Sequence, residues 1–450
     1  MTDCLQRRRG IALPKHPENG VAGALTWQRN KGFDSLLRLP HSGASRSRPR
    51  SKRVFYINDF GAKGDGVNDD TEAFEDVWKL VCSFPSRAKV IIPAGKTYLI
   101  SGTIIAPKDP DAWAGLNPQK WLEFQRVNHL TVEGGGIIEG MGQEWWARSC
   151  KINTTNPCHH APTVSAALFS TLCNQFHKSA LSVFALIFHR CKNLKVRNLM
   201  VLNSQQMHMA FTSCDRVVAS HLRVLAPGSS PNTDGIHISA STRVQIKNSV
   251  IGTGDDCISI VGNSSGIRIR SITCGPGHGI SIGSLGKWNS SVQIHDVVVD
   301  GAFVSNTENG VRIKTWQGGS GFATNIAFQN VWMENVSNPI IIDQYYCDSP
   351  VTCQNQSLAV KVEDISFVGI KGTSATEEAI KFACSETCPC ERLYLEDIQL
   401  VSYSGDSTRS FCWEAQGSCS GLVYPPPCFS YNDSSYIEQK VLSSSVLWSI

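Results

Sequence analysis

From about Cys191 onward, apolar positions alternate with polar ones in short runs, and the runs recur. The segments "CKNLKVRNLMVLNS", "CDRVVASHLRVLAP", "STRVQIKNSVIGTG", "SSGIRIRSITCGPG" and "SVQIHDVVVDGAF" share one design. A small polar pair leads into alternating β-branched residues, which break at Asn, Ser or Asp and resume as a second short strand. The first four begin at Cys191, Cys214, Ser241 and Ser264, at intervals of 23, 27 and 23 residues. Weaker copies follow in "ATNIAFQNVWMENV", "VKVEDISFVGI" and "CERLYLEDIQLV". Alternation with period two predicts strands with one face turned to a core. A repeat of this length predicts a solenoid. The leucine-rich consensus is absent, and the strands are too short for helical repeats. The pattern therefore predicts an all-β, single-stranded parallel β-helix, in which residues one coil apart in sequence stack in space.

The N-terminal part reads differently. Val54–Ile57 predicts a strand, and the Gly-rich stretch after it a turn. Phe74, Val77, Trp78 and Val81 fall at i, i+3, i+4 and i+7, one face of a short helix over 71–81. Asp69 and Glu72 resemble a capping pair at its start. Such a helix would close the N-terminal end of the solenoid. The expected organisation is a basic, structureless segment 1–53, a β-helix over 54–440 and a tail over 441–450. Val164 to Phe184 is apolar without periodicity; it reads as an insertion or an error in the gene prediction.

Composition narrows the setting. Of the 42 Lys and Arg, 12 lie in residues 1–53 with only 3 of the 38 Asp and Glu, so the body carries 30 against 35. No aromatic interleaving accompanies the basic run, which argues against nucleic acid as a partner. No apolar run reaches membrane-spanning length. The 17 cysteines cluster as Cys347/Cys353, Cys384/Cys388/Cys390 and Cys412/Cys419/Cys428, without His at zinc-ligand spacing, and read as disulfides of an oxidising compartment. The odd count leaves at least one thiol free or paired elsewhere, with Cys4 and Cys173 the natural leftovers. Sequons at Asn153, Asn263, Asn289, Asn335, Asn355 and Asn432 also favour secretion. No signal core follows the N-terminal charges, so the expected secretion signal belongs to a start other than this one.

Four motifs lie in consecutive repeats: Asn232-Thr233-Asp234, Gly254-Asp255-Asp256, Gly277-His278-Gly279 and Arg312-Ile313-Lys314. Each alone reads as a turn or a solvated strand face. Their intervals of 21, 23 and 34 residues, the last a coil plus the loop "GSLGKWNSS", put them on one face in successive coils. Glycosidic cleavage needs one carboxyl to protonate the leaving oxygen and a carboxylate to activate water or attack carbon. Crowded aspartates supply both, because like charges hold one proton on the group. Arg312 and Lys314 can take an anionic sugar carboxylate. The glycines at 254, 277 and 279 would let backbone and substrate approach closely. A calcium site built from the aspartates is the competing reading.

The longer forms "SPNTDGIHI", "GTGDDCISI", "CGPGHGISIGSLG" and "NGVRIKTW", with "DFGAKGDGVNDDTEAF" near the start, resemble the signature of plant polygalacturonases of glycoside hydrolase family 28, from about Val54 to about Tyr436. The resemblance implies a right-handed parallel β-helix of the pectin-lyase type. It implies hydrolysis of polygalacturonate with inversion: Asp255 as general acid, Asp234 and Asp256 holding and deprotonating water at wide spacing, and His278 supporting the acid. It also puts Asn232, Arg312, Lys314 and Tyr346 on the substrate, and a disulfide between Cys257 and Cys274. Cys347, Cys353, Cys384, Cys390, Cys412 and Cys428 are the other disulfide candidates. No metal or cofactor is expected, and the expected protein is a secreted cell-wall monomer whose partner is pectin. Two alternatives remain: a calcium-dependent lyase on the same fold, and a non-catalytic polysaccharide-binding solenoid.

Overall fold

The computed structural model describes residues 53–82, 88–91, 93, 95–109, 120–149, 151, 184–349 and 353–429. The expected tails, most of the Val164–Phe184 stretch, Asn153, Asn432, Cys4 and Cys173 lie outside the described residues. Phe184 itself opens a strand, Phe184–His189.

The chain coils as the repeats predict, and every strand pairing is parallel. Lys192 pairs with Asp215, Asp215 with Thr242 and Thr242 with Ser265, so the register reproduces the sequence intervals of 23, 27 and 23. One sheet stacks ten strands, from Lys120–Gln125 to Arg409–Trp413; a larger, bent sheet of 17 strands carries the rest of each coil. The bend has a cause in the sequence. Asn198, His221, Asn248, Ser271, Gly301, Asn330, Gly369 and Asp397 occupy the same place in successive coils, and all have φ between 50° and 73°. Asn, Asp and Gly tolerate the left-handed region best, which is why the repeat breaks at small polar residues.

Inside the tube, inward Ile, Val and Leu are fully buried. Phenylalanines stack along the axis: Phe124 on Phe188 at 5.0 Å and Phe188 on Phe211 at 5.5 Å. Each such pair adds about 0.5–1.5 kcal/mol beyond its burial. The helix Thr71–Cys82 closes the N-terminal end, burying Ala73, Phe74 and Val77. Its cap differs from the expected pair. Asp69 Oδ1 accepts from the Thr71 and Ser101 amides at 3.0 and 3.1 Å. Thr71 Oγ1 takes the Ser101 and Gly102 amides, leaving Glu72 exposed. A second short helix, Gln143–Ala147, was not legible in the sequence.

Among the described residues four disulfides form: Cys257–Cys274, Cys347–Cys353, Cys384–Cys390 and Cys412–Cys428. Four cysteines are free among the described residues. Cys388 and Cys419 are half-buried, whereas Cys191 and Cys214 are buried in successive coils, where each thiol donates to a backbone carbonyl. The leftover thiols are thus not confined to Cys4 and Cys173.

Candidate active site

The ten-stranded sheet presents one outward ladder, His237, Ser259, Ser281 and Arg312, in register across the strands Ile236–Ser239, Ile258–Ile260, Ile280–Leu285 and Asn309–Thr315. Isoleucines on either side of His237, Ser259 and Ser281, and Val311 and Ile313 beside Arg312, are buried in the core. The turns that feed these strands deliver Asp234, Asp255, Asp256 and His278 to the ladder. The four sequence motifs are therefore brought together as expected.

Each carboxylate has its own partners. Asp234 Oδ2 accepts from Ser259 Oγ at 2.9 Å. Asp255 faces His278 Nδ1 at 3.0 Å through Oδ1, and Asn232 Nδ2 at 3.3 Å through Oδ2. Asp256 is enclosed: Oδ1 accepts from Arg312 Nη2 at 2.7 Å and Ser281 Oγ at 2.8 Å, and Oδ2 from Lys314 Nζ at 2.8 Å. Lys314 in turn lies 5.2 Å from the ring centroid of Tyr346. Arg312 and Lys314 are thus buried partners of Asp256 before any substrate arrives. Of the aspartates in the Gly254-Asp255-Asp256 motif, Asp255 is the more open, 14% exposed against 2% for Asp256.

The charges do not titrate independently. Burial, then the charges of Asp255 and Asp256, push Asp234 well above the usual carboxylate range. Burial also pushes Asp255 upward, but the hydrogen bond and positive charge of His278, with Lys314, outweigh it and hold the group low. Burial works against a protonated His278, and Asp255 and Glu308 overcome it, raising the imidazole; Glu308 Oε2 lies 3.3 Å from Nε2. The trio therefore divides, with Asp234 holding a proton more tightly than an ordinary carboxyl, Asp255 less tightly, and His278 more tightly than an ordinary imidazole.

An oxygen of Asp255, an oxygen of Asp256 and a ring nitrogen of His278 lie within 4.8 Å of one another, close enough to hold a cation. Arg312 and Lys314 already occupy both oxygens of Asp256, however, and would repel one.

The glycines also do something other than expected. A Cβ on Gly254 would lie 1.9 Å from the Ser230 carbonyl oxygen, and one on Gly279 the same distance from that of Asn309. They let one coil seat on the next rather than admit substrate. Sequence reading missed Ser259, Ser281, His237, His208 and Glu308. The alternation in "GIHISA", "DCISI" and "HGISI" does mark the first three as the outward residues between inward isoleucines. His208 and His237 are buried, burial driving both down to about 4, so they are neutral props. His208 Nδ1 lies 3.1 Å from the Asp234 carbonyl, and His237 Nδ1 2.8 Å from Ser259 Oγ.

The model of the glycosyl hydrolases family 28 matches residues 85–420. The chain belongs to this family. It is a glycoside hydrolase by that membership, and a pectate lyase-like family model also matches residues 54–110. A probable polygalacturonase of Arabidopsis thaliana is 54% identical over 94% of this chain and 95% of its own length. A polygalacturonase of Persea americana is 48% identical over 79% and 76%. Among solved structures, an exopolygalacturonase of Thermotoga maritima superposes with a TM-score of 0.59 over 83% of this chain and 92% of its own, at 19% identity. That likeness speaks to the family 28 β-helix alone.

Proposed function

We propose that this chain hydrolyses α-1,4-galacturonosyl linkages of pectin and polygalacturonate with inversion. The observation that carries the reading is the enclosure of Asp256 by Arg312 and Lys314 beside the buried Asp234 and the more open Asp255. A binding solenoid would have no use for three crowded carboxylates, whose mutual repulsion costs stability. The curated relatives named as polygalacturonases support the substrate class.

In this reading Asp255 is the general acid, because it faces His278 and the opening. Asp256 and Asp234 hold the attacking water from the buried side, and Asp234, whose proton affinity is raised, takes its proton from the ionised form. The uronate carboxylate at the cleavage point draws on Arg312 and Lys314, with Tyr346 and Asn232 at its edges. That added negative charge raises the proton affinity of Asp255, so the acid acquires its proton as substrate binds. Secretion to the cell wall fits the four disulfides and the exposed sequons Asn263, Asn289 and Asn355; no helix among the described residues is long and apolar enough to cross a membrane. We also propose action as a monomer.

Proton NMR of the first product from a tri- or tetragalacturonate decides the stereochemistry. Inversion of an α-linkage gives the β-anomer first. An α-anomer appearing first would overturn the inverting mechanism, and an unsaturated product absorbing in the ultraviolet would overturn hydrolysis.

A further inference from the structure

We propose that Lys287 and Trp288 form an outer subsite for a second galacturonate residue, at the C-terminal edge of the ten-stranded sheet. This rests on the polygalacturonase reading of the site and extends it. The loop "GSLGKWNSS" lengthens one coil, and neither Lys287 nor Trp288 belongs to the motifs. Its turn Lys287–Asn289 follows the strand Ile280–Leu285 directly.

The next two coils turn at the same edge. The Trp316 amide donates to the Leu285 carbonyl at 2.8 Å, and that of Tyr346 to Thr315 at 3.2 Å. The side chains at these turns form a continuous row. Lys314 lies over Tyr346, Tyr346 meets Trp316 edge-on at 5.7 Å, and Lys287 Nζ lies 4.9 Å from the ring centroids of both Trp316 and Trp288. The row leads from the reacting centre to Trp288, which is 68% exposed.

Three features suit a sugar acid. Trp288 holds φ 56° and ψ 43°, a left-handed conformation uncommon for a bulky residue, and its indole stands in solvent. The flat C–H face of a pyranose can bury against such a ring. Lys287 is half-buried, and no carboxylate among the described residues forms an ion pair with it; burial holds its ammonium below the usual range, against the opposing charge of Asp348 and with a smaller contribution from Lys151. An incoming uronate carboxylate would satisfy it. Beyond it the exposed Lys151–Asp348 bridge, at 3.2 Å, marks the outer limit.

The test compares long oligogalacturonates with short ones that cannot reach the loop. Lys287→Met and Trp288→Ala are each expected to shrink the kcat/KM advantage of long over short substrates by about tenfold, with Lys287→Arg restoring most of it. An unchanged ratio, whether rates fall uniformly or not at all, overturns the subsite. A binding arm separates this outcome from failure of the underlying reading. In the Asp255→Asn background, Lys287→Met should weaken calorimetric binding of a long oligogalacturonate about tenfold and leave binding of a short one unchanged. An inactive parent that still shows this difference would sink the hydrolase reading while keeping the subsite.

Discussion

Arg312 donates from Nη2 to Asp256 Oδ1 across 2.7 Å, and neither side chain is more than 8% exposed. Breaking one partner of a buried pair strands the other charge, at a cost of about 3–5 kcal/mol. Arg312→Ala should therefore lower stability by about 3 kcal/mol, Lys314 still meeting the second oxygen, and reduce kcat/KM more than a hundredfold. Urea unfolding and initial rates on polygalacturonate check the two effects. A variant that keeps parental stability would show that the pair contributes little.

Asp234 is the group whose proton affinity the fold raises. The sign is that of a strained acid. The folded state keeps a proton that the unfolded chain releases, so folding grows costlier as pH climbs above the ordinary Asp value of about 3.9. Asp234→Asn removes that cost while keeping an oxygen for Ser259. It should raise Tm at pH 7 and abolish activity. Thermal unfolding of parent and variant at pH 4 and pH 7 reads the difference, which should widen with pH; a lower Tm at both values would contradict the assignment.

His278 works in the opposite sense. Its folded proton affinity lies above the unfolded value of about 6.5, so its contribution is complete below that pH and is lost as pH rises through the folded value. Asp255, held low, contributes above about 3.9 and loses its part as pH falls. The pair therefore stabilises the fold between mildly acidic and near-neutral pH. In His278→Gln the neutral-side decline of stability should flatten, and kcat should drop at least tenfold. Stability measured across pH 4 to 8 would show a parallel curve for both proteins if the ion pair were absent.

Most of the architecture was legible because a solenoid repeats its physics. One coil's alternation, break and interval set the next, down to the 23-residue step from Lys192 to Asp215. The candidate site was legible for the same reason, since residues one coil apart must stack. What escaped the sequence lies off the repeat. Ser259 and Ser281 are small residues whose importance depends on which carboxylate lands beside them. Glu308 sits in a turn, and the helix Gln143–Ala147 has too few residues for a periodic signal. The opposite error concerned Gly254, assigned to substrate approach although the neighbouring coil's backbone fills the space first.

Gly254→Ala follows from that correction. Its Cβ would press on the Ser230 carbonyl, and overpacking of this kind costs about 1–3 kcal/mol. The displaced turn carries Asp255 and Asp256, so activity should fall at least tenfold even where the protein remains folded. Circular dichroism with kinetics tests this, and full activity in a folded variant would argue that the coil contact is slack.

The central claim is hydrolysis with Asp255 as the acid, and release of new reducing ends from de-esterified polygalacturonate tests it most directly. The parent should release them steadily, and Asp255→Asn should fall by about 10²–10⁴-fold, the usual weight of general acid catalysis. A folded parent that binds the polymer and releases none, or an Asp255→Asn variant as active as the parent, would contradict the account.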